Sequence, residues 1–389
     1  MNPSNLRRFS SALSTASQLD AAIDQVSSAL ADLDGPPDLA VVFLSAHWSD
    51  DCETIAETLC NRLGTENLLG CTAESVLGGG QEIENSPAMS LWLAKLPDLS
   101  LTPMYLNYQR TPDGGGFLGW ADELLDGWPE HSTLLTLGDP FSFPADVLLE
   151  QLANENPNVL AAGGMCSGGE APGESRLLLG TKVYDEGAAT ILLSGTPLQT
   201  VVSQGCRPIG EPLVVTRAER NIIYELGGKT ALLQLNTIFD ELPTHEQELV
   251  RQGLQVGRVV SEYQDRFEAG DFLIRNLIGA DPDTGALAIG DYIRVGQTIQ
   301  FHIRDHKTAD ADLRELLAAH RKQHQPAAAL LFTCNGRGTR LFDKEHHDAA
   351  AVQNAWGEIP VAGFFAQGEL GPVGGSNFMH GFTASILVF

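Results

Sequence analysis

The sequence predicts an α/β protein in which three copies of a strand-helix-strand-strand unit form mixed sheets flanked by helices, in two domains. The first observation is a repeated spacing, in which an apolar run is followed 29, 29 and 33 residues later by a glycine, at Val41 and Gly70, Leu134 and Gly163, and Leu330 and Gly363. The second is a further apolar run after each glycine-rich turn. The third is a composition of 43% hydrophobic and 19% charged residues, which is ordinary for a globular protein. We therefore expect an internal duplication rather than a solenoid.

Helical patterns connect the strands. Residues 19–33 carry leucine, isoleucine and valine at helical spacing behind Ser17, which predicts an N-terminal amphipathic helix. The first copy predicts a helix over 52–63 that ends at Gly64, the second a helix that begins near Pro144, and the third a helix over 348–356. The first two strands of each copy should pair in parallel and the last strand antiparallel.

A long insert with a different texture separates the second copy from the third. Strand patterns flank Gly227-Gly228 as in a hairpin, a helix is predicted over 231–239, and residues 281–285 form a turn signal between two strands. We place a domain boundary near Gly228. The predicted organisation is an N-terminal helix over 1–34, a first domain over 35–228 and a second over 229–389.

Charge and composition exclude several kinds of partner. The formal charge is −26, with 50 acidic and 24 basic residues, and no basic run offers a footprint for nucleic acid or an anionic membrane. No stretch approaches 18 apolar residues, and no signal peptide is predicted. The six cysteines have no C-x-x-C spacing, which favours reduced thiols in the cytoplasm.

Four segments carry a resemblance to a known family, namely residues 204–210 (QGCRPIG), 223–226 (IYEL), 332–338 (FTCNGRG) and 363–372 (GFFAQGELGP). Together they resemble the FIST family, with its N-terminal and C-terminal domains in order. The resemblance implies a small-ligand-binding sensory protein of signal transduction, with an amino acid or related metabolite as ligand. It also leaves open a haem-binding gas sensor, with no haem ligand assignable. Because no output segment is attached, the resemblance implies a signalling partner in trans.

Two glycine-rich segments after the strands of the third copy form the strongest chemical pattern. We assign the ligand site to Cys334, Asn335, Gly336, Arg337 and Gly338, to Gly363, Phe364, Gln367, Gly368 and Glu369, and to Gln204, Cys206 and Arg207. The loops should emerge at one sheet edge, where α/β sheets keep their crevices. Arg337 offers a fork for a carboxylate or phosphate, and Glu369 an acceptor for an ammonium or hydroxyl. The alternative is that the glycines serve turns and that Arg337 pairs with Glu369.

No catalytic residue is assigned. Cys71 and Cys166 follow the glycines of the first two copies, but no base stands at a recognisable spacing, and buried small residues are the better interpretation. His320 and His324 are four residues apart, but we interpret them as part of a solvated polar face and predict no metal site. An enzyme that acts on a small metabolite through a cysteine or Arg337 remains the alternative function, and a scaffold acting through protein contacts is third.

Overall fold

The computed structural model describes residues 6–111, 114–263, 266–267 and 270–389. Contacts within the chain divide it into two compact units. The repeat unit comprises Met1–Val202, Arg314–Met379 and Ala384–Phe389, and the insert unit comprises Ser203–Leu313 and His380–Thr383. The domain limits at residues 34 and 228 stay a prediction.

The first copy of the repeat begins with a strand that the sequence analysis missed. Its elements are β1 (Arg8–Ser14), α1 (Leu19–Ser27), β2 (Leu39–Ser45), α2 (Cys52–Leu63), β3 (Leu68–Ala73), β4 (Val76–Gly78), β5 (Gln81–Ile83) and β6 (Met89–Lys95). The predicted helix over 52–63 is confirmed as α2, which ends at Gly64, whose φ of 68° gives the expected left-handed cap. Of the predicted N-terminal helix, Leu19–Ser27 is α-helical and Ser28–Asp32 continues as a 3-10 helix, whereas Arg8–Ser14 forms β1.

The second copy repeats this order with an added strand and a short 3-10 helix in place of α1. Its elements are β7 (Ser100–Thr111), β8 (Gly114–Leu118), β9 (Thr133–Gly138), α3 (Ala145–Glu155), β10 (Leu160–Met165), β11 (Leu177–Leu179), β12 (Lys182–Tyr184) and β13 (Ala188–Ser194). Pro144 precedes the first residue of α3.

The third copy begins with β14 (Gln199–Gln204) and is interrupted by the insert. The insert elements are β15 (Cys206–Glu219), β16 (Ile222–Leu226), β17 (Lys229–Thr230), α4 (Ala231–Glu241), α5 (Thr244–Gln252), β18 (Leu254–Val259), β19 (Phe272–Asp281), β20 (Ala286–Ile289) and β21 (Thr298–Arg304). The copy resumes with α6 (His306–Gln323), β22 (Ala329–Cys334), α7 (His347–Trp356), β23 (Val361–Ala366), β24 (Glu369–Val373), β25 (Ser376–His380) and β26 (Thr383–Val388).

The sheets are mixed, as predicted. In each copy the two strands that flank the helix are parallel, namely β2 with β3, β9 with β10, and β22 with β23. The last strand of each copy, β6, β13 or β26, pairs antiparallel with the first of the two. The three copies therefore share one topology despite the insert.

The short hairpin of each copy joins the sheet of another copy. Hairpin β4–β5 pairs with β23 of the third copy, β11–β12 with β3 of the first, and β24–β25 with β10 of the second. The exchange is cyclic, so every sheet is completed by a different copy. Two of the turns are glycine pairs with positive φ, Gly79-Gly80 and Gly374-Gly375, as a two-residue hairpin turn requires.

The three sheets share one apolar core. Phe43 of β2, Phe332 of β22 and Phe364 of β23 meet there, with ring centroids 5.1 to 6.3 Å apart. Leu135 and Ile191 of the second copy belong to the same cluster. The other face of the first sheet packs on α1 and α2, and that of the second on α3. Polar side chains at the sheet edges are thus held by a rigid apolar centre.

The repeated glycine lies inside a strand, so the prediction that it forms part of a turn is wrong. Gly70, Gly163 and Gly363 each stand beside the parallel partner strand, where a Cβ would come within 3.0 Å of a backbone carbonyl oxygen. Gly163 also has a φ of +127°. The repeated glycine therefore marks a position where the backbones of two neighbouring strands approach closely, and not a loop.

Gly163→Ala is expected to lower the free energy of unfolding by about 2–4 kcal/mol, because the added Cβ meets backbone at a positive φ. Gly116→Ala is the matched control, since its Cβ would meet nothing within 4 Å. Urea denaturation of both variants measures the difference. Equal stability of the two variants would contradict the close approach.

The insert unit has its own sheet and core. Its strand order is β15-β21-β18-β19-β20-β16-β17, and β15 also pairs with β16. The predicted hairpin at Gly227-Gly228 joins β16 to β17, and the predicted turn over 281–285 joins β19 to β20. In the described part of the chain, no helix has both the length and the apolar character needed to cross a membrane.

Candidate functional site

Two loops meet at the carboxyl ends of the parallel strands β22 and β23. Asn335, Gly336 and Arg337 follow β22, and Gln367 follows β23. The backbone N–H of Asn335 donates to the carbonyl of Ala366 at 2.9 Å and ties one loop to the other. This edge is where open α/β sheets hold ligands, as the sequence analysis expected.

A buried ion pair lies beneath these loops. Arg337 is fully buried, and its Nε and Nη2 donate to the two carboxylate oxygens of Asp348 at 2.7 and 2.8 Å. Asp348 also accepts from Thr333 Oγ1 at 2.5 Å and contacts His347 Nδ1 at 2.8 Å. The guanidinium lies 5.2 Å from the centre of the Phe342 ring, which stacks on His347. The Arg337 fork is thus engaged by the protein itself.

The ion pair fixes both charges. Burial alone would raise the pKa of Asp348, but the guanidinium of Arg337 lowers it well below its ordinary value. Burial would likewise lower the pKa of Arg337, while Asp348, Cys334 and Glu369 raise it above its ordinary value. Both groups stay charged near neutral pH, so each depends on the other for compensation.

Glu82 of the exchanged hairpin lies at the amino end of α7. Its Oε1 accepts from the backbone N–H groups of Asp348 and Ala349 at 2.8 and 2.9 Å, while its Oε2 is buried without a hydrogen-bond partner. Burial, followed by the negative charge of Asp348, raises the pKa of Glu82 to about 8. The Glu82 carboxyl is therefore mostly protonated at pH 7.

Two further carboxylates of the first copy hold the loop after β22. Glu84 accepts from the backbone N–H and the Oγ1 of Thr339 at 3.0 and 2.7 Å. Glu74 pairs with Arg340, whose Nη1 also donates to the carbonyl of Asn335 at 2.7 Å. The first copy thus contributes the partners that order a loop of the third.

The second copy reaches the same place. Ser167 Oγ accepts from the backbone N–H of Glu74 at 2.9 Å. Gln367 donates its N–H to the carbonyl of Met165 at 2.9 Å, and Met165 donates to the carbonyl of Gly368 at 2.8 Å. We call residues 74–75, 167–168, 335–336, 339–340 and 367–368 the loop cluster. Loops of all three copies are hydrogen-bonded there.

The predicted site residues of the third copy lie at three depths. Asn335, Gly336 and Gly368 are half-buried and Gln367 is exposed. Cys334, Gly338 and Glu369 are buried, as is Arg337. The Cys334 sulfur accepts from the N–H of Gly336 at 3.4 Å. A ligand at the surface would contact the half-buried and exposed residues of this set and not the buried ones.

Two predicted site residues of the third copy lie in the middle of a strand. Gly363 and Phe364 lie inside β23, and Phe364 is fully buried in the common core. The prediction that they begin a loop is wrong, because the glycine is required by the neighbouring strand. Their assignment to the ligand site stays a prediction.

The remaining predicted residues, Gln204, Cys206 and Arg207, belong to the insert unit. Gln204 Nε2 donates to the carbonyl of Phe272 at 2.8 Å. Cys206 is buried in a small apolar cluster that includes Phe272. Arg207 pairs with Glu246 at 3.0 Å and with Asp305 at 3.2 Å. Within their own unit these side chains already have protein partners, and their membership of the ligand site stays a prediction.

Sequence reasoning missed the acidic residues of the site, Glu74, Glu82, Glu84 and Asp348. Asp348 lies in the first turn of α7, the helix that follows the Arg337 loop, and the spacing of 11 residues does not by itself indicate that the two side chains meet. The three glutamates lie more than 250 positions before their partners in the chain. No local pattern indicates that their hairpin joins the third sheet.

Comparisons with known proteins agree with this architecture. The FIST N domain matches residues 38–229 and the FIST C domain matches residues 231–372. The chain is 43% identical over 357 residues to "Uncharacterized protein Rv0628c" of Mycobacterium tuberculosis, which covers 91% of this chain and 92% of the relative. It is 40% identical over 372 residues to "Uncharacterized protein Mb0898c" of Mycobacterium bovis, with 95% of both chains covered. FIST domains are associated with small-ligand sensing. The protein therefore belongs to the FIST family, with an N and a C domain in one chain.

Proposed function

We propose that this protein is a cytoplasmic small-ligand sensor that binds an amino acid or a related small anionic metabolite at the loop cluster and signals through a partner protein. The observation that carries the proposal is the meeting of polar loops from three copies above a buried ionic network. A fold does not need buried ionisable groups for stability, and such groups concentrate at functional sites. The family association with small ligands supports the same conclusion.

The exposed part of the loop cluster suits a zwitterion. The side chains of Arg340 and Glu74 are 54% and 31% exposed and face one another. The carboxylate of such a ligand would accept hydrogen bonds from the guanidinium of Arg340. Its ammonium would donate to the carboxylate of Glu74. Asn335 and Gln367 add neutral donors and acceptors beside them. In this arrangement Arg337 does not contact the ligand. Its buried ion pair with Asp348 holds the loop in place.

Arg340→Ala is expected to weaken binding about 10-fold to 100-fold, because a charge-assisted hydrogen bond contributes about 1.5–3 kcal/mol. Isothermal titration against a panel of L-amino acids and small carboxylates measures the effect. Arg62→Ala is the matched control, since Arg62 is also an exposed arginine paired with a carboxylate, that of Asp24. Equal affinities in the wild type and Arg340→Ala would refute the assignment of the site.

The same samples separate a sensor from an enzyme. A sensor returns its ligand unchanged, so mass spectrometry of each panel member after incubation should find no product. Product that accumulates in proportion to the protein, and that is lost in Cys334→Ala, would replace the sensor by the enzyme alternative.

A further inference from the structure

In two of the three copies, a second helix lies beside the helix that connects the parallel strands. In the first copy α1 packs on α2 in one apolar cluster, and Asp24 of α1 pairs with Arg62 of α2. In the third copy the C-terminal part of α6 packs on α7, where Trp356 Nε1 donates to the carbonyl of Leu317 at 3.0 Å and the His320 ring lies 5.2 Å from the Trp356 ring. His320 is therefore half-buried against α7, and its interpretation as part of a solvated polar face is wrong.

The second copy has a shorter helix at this place. In the described residues between β7 and β9, the chain forms β8 and a five-residue 3-10 helix over Asp122–Asp126, which buries Leu124 in the apolar cluster of α3. The equivalent helices are longer, since α1 has nine residues and continues into a 3-10 helix of five, and α6 has 18. The place beside α3 is therefore only partly filled.

An apolar groove of about 160 Å³ lies in the part that is left open. Trp120, Leu124 and Trp128 form one wall of this groove, and Leu152 of α3 belongs to the other. The two tryptophans are half-buried, with ring centroids 5.4 Å apart in an edge-to-face arrangement. Leu125 also lines the groove, although its side chain is 79% exposed. We call this site the tryptophan groove, and exposed apolar surface of this kind marks an interaction site.

The tryptophan groove is bordered by acidic side chains. Asp122 and Asp126 of the 3-10 helix and Glu150 and Glu155 of α3 are all exposed, and Glu155 lines the groove itself. From residue 111 to residue 175 the sequence has 11 aspartates and glutamates and no lysine or arginine. A second copy of this chain, with its net charge of −26, would be repelled, whereas a basic partner would be attracted.

We propose that the tryptophan groove binds an amphipathic helix of a partner protein, with apolar side chains on the face that it buries and lysine or arginine on both sides of that face. The helix occupies the place beside α3 that a second helix of the chain fills in the other two copies. Its apolar side chains pack between the two tryptophans and Leu152, and its basic side chains pair with Asp126 and Glu155. The inference rests on the proposed function, because it gives the sensor a surface for its signalling partner.

A synthetic helical peptide tests this proposal with the full-length chain. The peptide has about 15 residues, with leucine at helical spacing and lysine at the other positions. A second peptide of the same composition, permuted so that it has no apolar face, serves as control. Isothermal titration should show one bound peptide per chain, an affinity at least about 10-fold higher than that of the permuted peptide, and weaker binding at high salt.

Variants of the chain locate the binding. Leu125→Ala should weaken binding of the amphipathic peptide about 10-fold, and Leu233→Ala, which shortens a leucine 52% exposed in α4, should not. The double variant Asp126→Lys and Glu155→Lys should also weaken binding about 10-fold. The double variant Asp240→Lys and Glu241→Lys makes the same change in net charge at exposed positions of α4 and should have a much smaller effect. All these side chains are exposed, so circular dichroism should find every variant folded.

The titrations also separate this proposal from the proposed ligand site. They are made without a small ligand, and Arg340→Ala, which changes the loop cluster, should bind the peptide as the wild type does. Three results would overturn the proposal: equal affinity for the permuted peptide, equal affinity in the wild type and Leu125→Ala, or a dimer of this chain, seen by light scattering, that Leu125→Ala dissociates.

Discussion

Arg337→Ala is expected to lower the free energy of unfolding by about 3–5 kcal/mol, because it leaves the Asp348 carboxylate buried without a counter-charge. Both side chains are almost fully buried, and two hydrogen bonds of 2.7 and 2.8 Å join them. Arg337→Lys keeps the charge but loses the planar fork, so its effect should be intermediate. Equilibrium denaturation in urea at pH 7 measures all three proteins.

Arg340→Ala provides the matched control for this prediction. Arg340 lies three residues farther along the same loop and pairs with Glu74, but its side chain is 54% exposed. Exposed pairs contribute about 0–1 kcal/mol. A double-mutant cycle with Asp348→Asn isolates the pairwise energy of Arg337 and Asp348. If Arg337→Ala lowered the free energy of unfolding no more than Arg340→Ala does, the claim that the buried ion pair holds the loop would be wrong.

Glu82→Gln is expected to stabilise the protein at alkaline pH. The pKa of Glu82 rises from a reference value of 4.5 to about 8 on folding, since burial and Asp348 disfavour the charged form. The stability that the protonated carboxyl contributes is fully present below pH 4.5 and is lost as the pH rises through 8. At pH 9 the neutral amide should gain on the order of 2–5 kcal/mol over the wild type.

Two comparisons make this result specific. The amide oxygen can still accept from the N–H groups of Asp348 and Ala349, so Glu82→Gln and the wild type should have nearly equal stability at pH 4.5. Glu57→Gln, at an exposed position of α2, should show no such pH dependence. A gain at pH 9 that is matched by Glu57→Gln would mean that net charge, and not burial of Glu82, is responsible.

The helices and strands of each copy were better predicted from the sequence than the strands with which they pair. Helix α2 has an apolar stripe and Gly64 at its end, and both signals are local. The hairpin β4–β5 was not predicted, although the glycine pair at its turn is a local signal. Its pairing with β23 has no local signal, because strands of three residues carry little register information and the choice depends on tertiary packing.

The difference between local signals and tertiary packing also explains which parts of the site were predicted. The loop of Cys334 to Gly338 was placed at the sheet edge because it follows an apolar strand. Glu369 is the partner of Arg337 in the alternative drawn from the sequence, whereas in the structure the guanidinium of Arg337 donates to Asp348. Arg337 can reach Asp348 only because of the path that the loop between them follows. The residue spacing does not specify that path.

Hydrogen–deuterium exchange of the full chain, with and without the panel member that binds most tightly, tests the central claim most directly. Because the loop cluster joins three copies by hydrogen bonds, a ligand held there should slow exchange together in peptides covering residues 73–76, 166–168, 334–341 and 366–369. Exchange in the first two helices should stay unchanged. Protection confined to residues 203–313, or to one copy alone, would contradict a ligand site built from three copies.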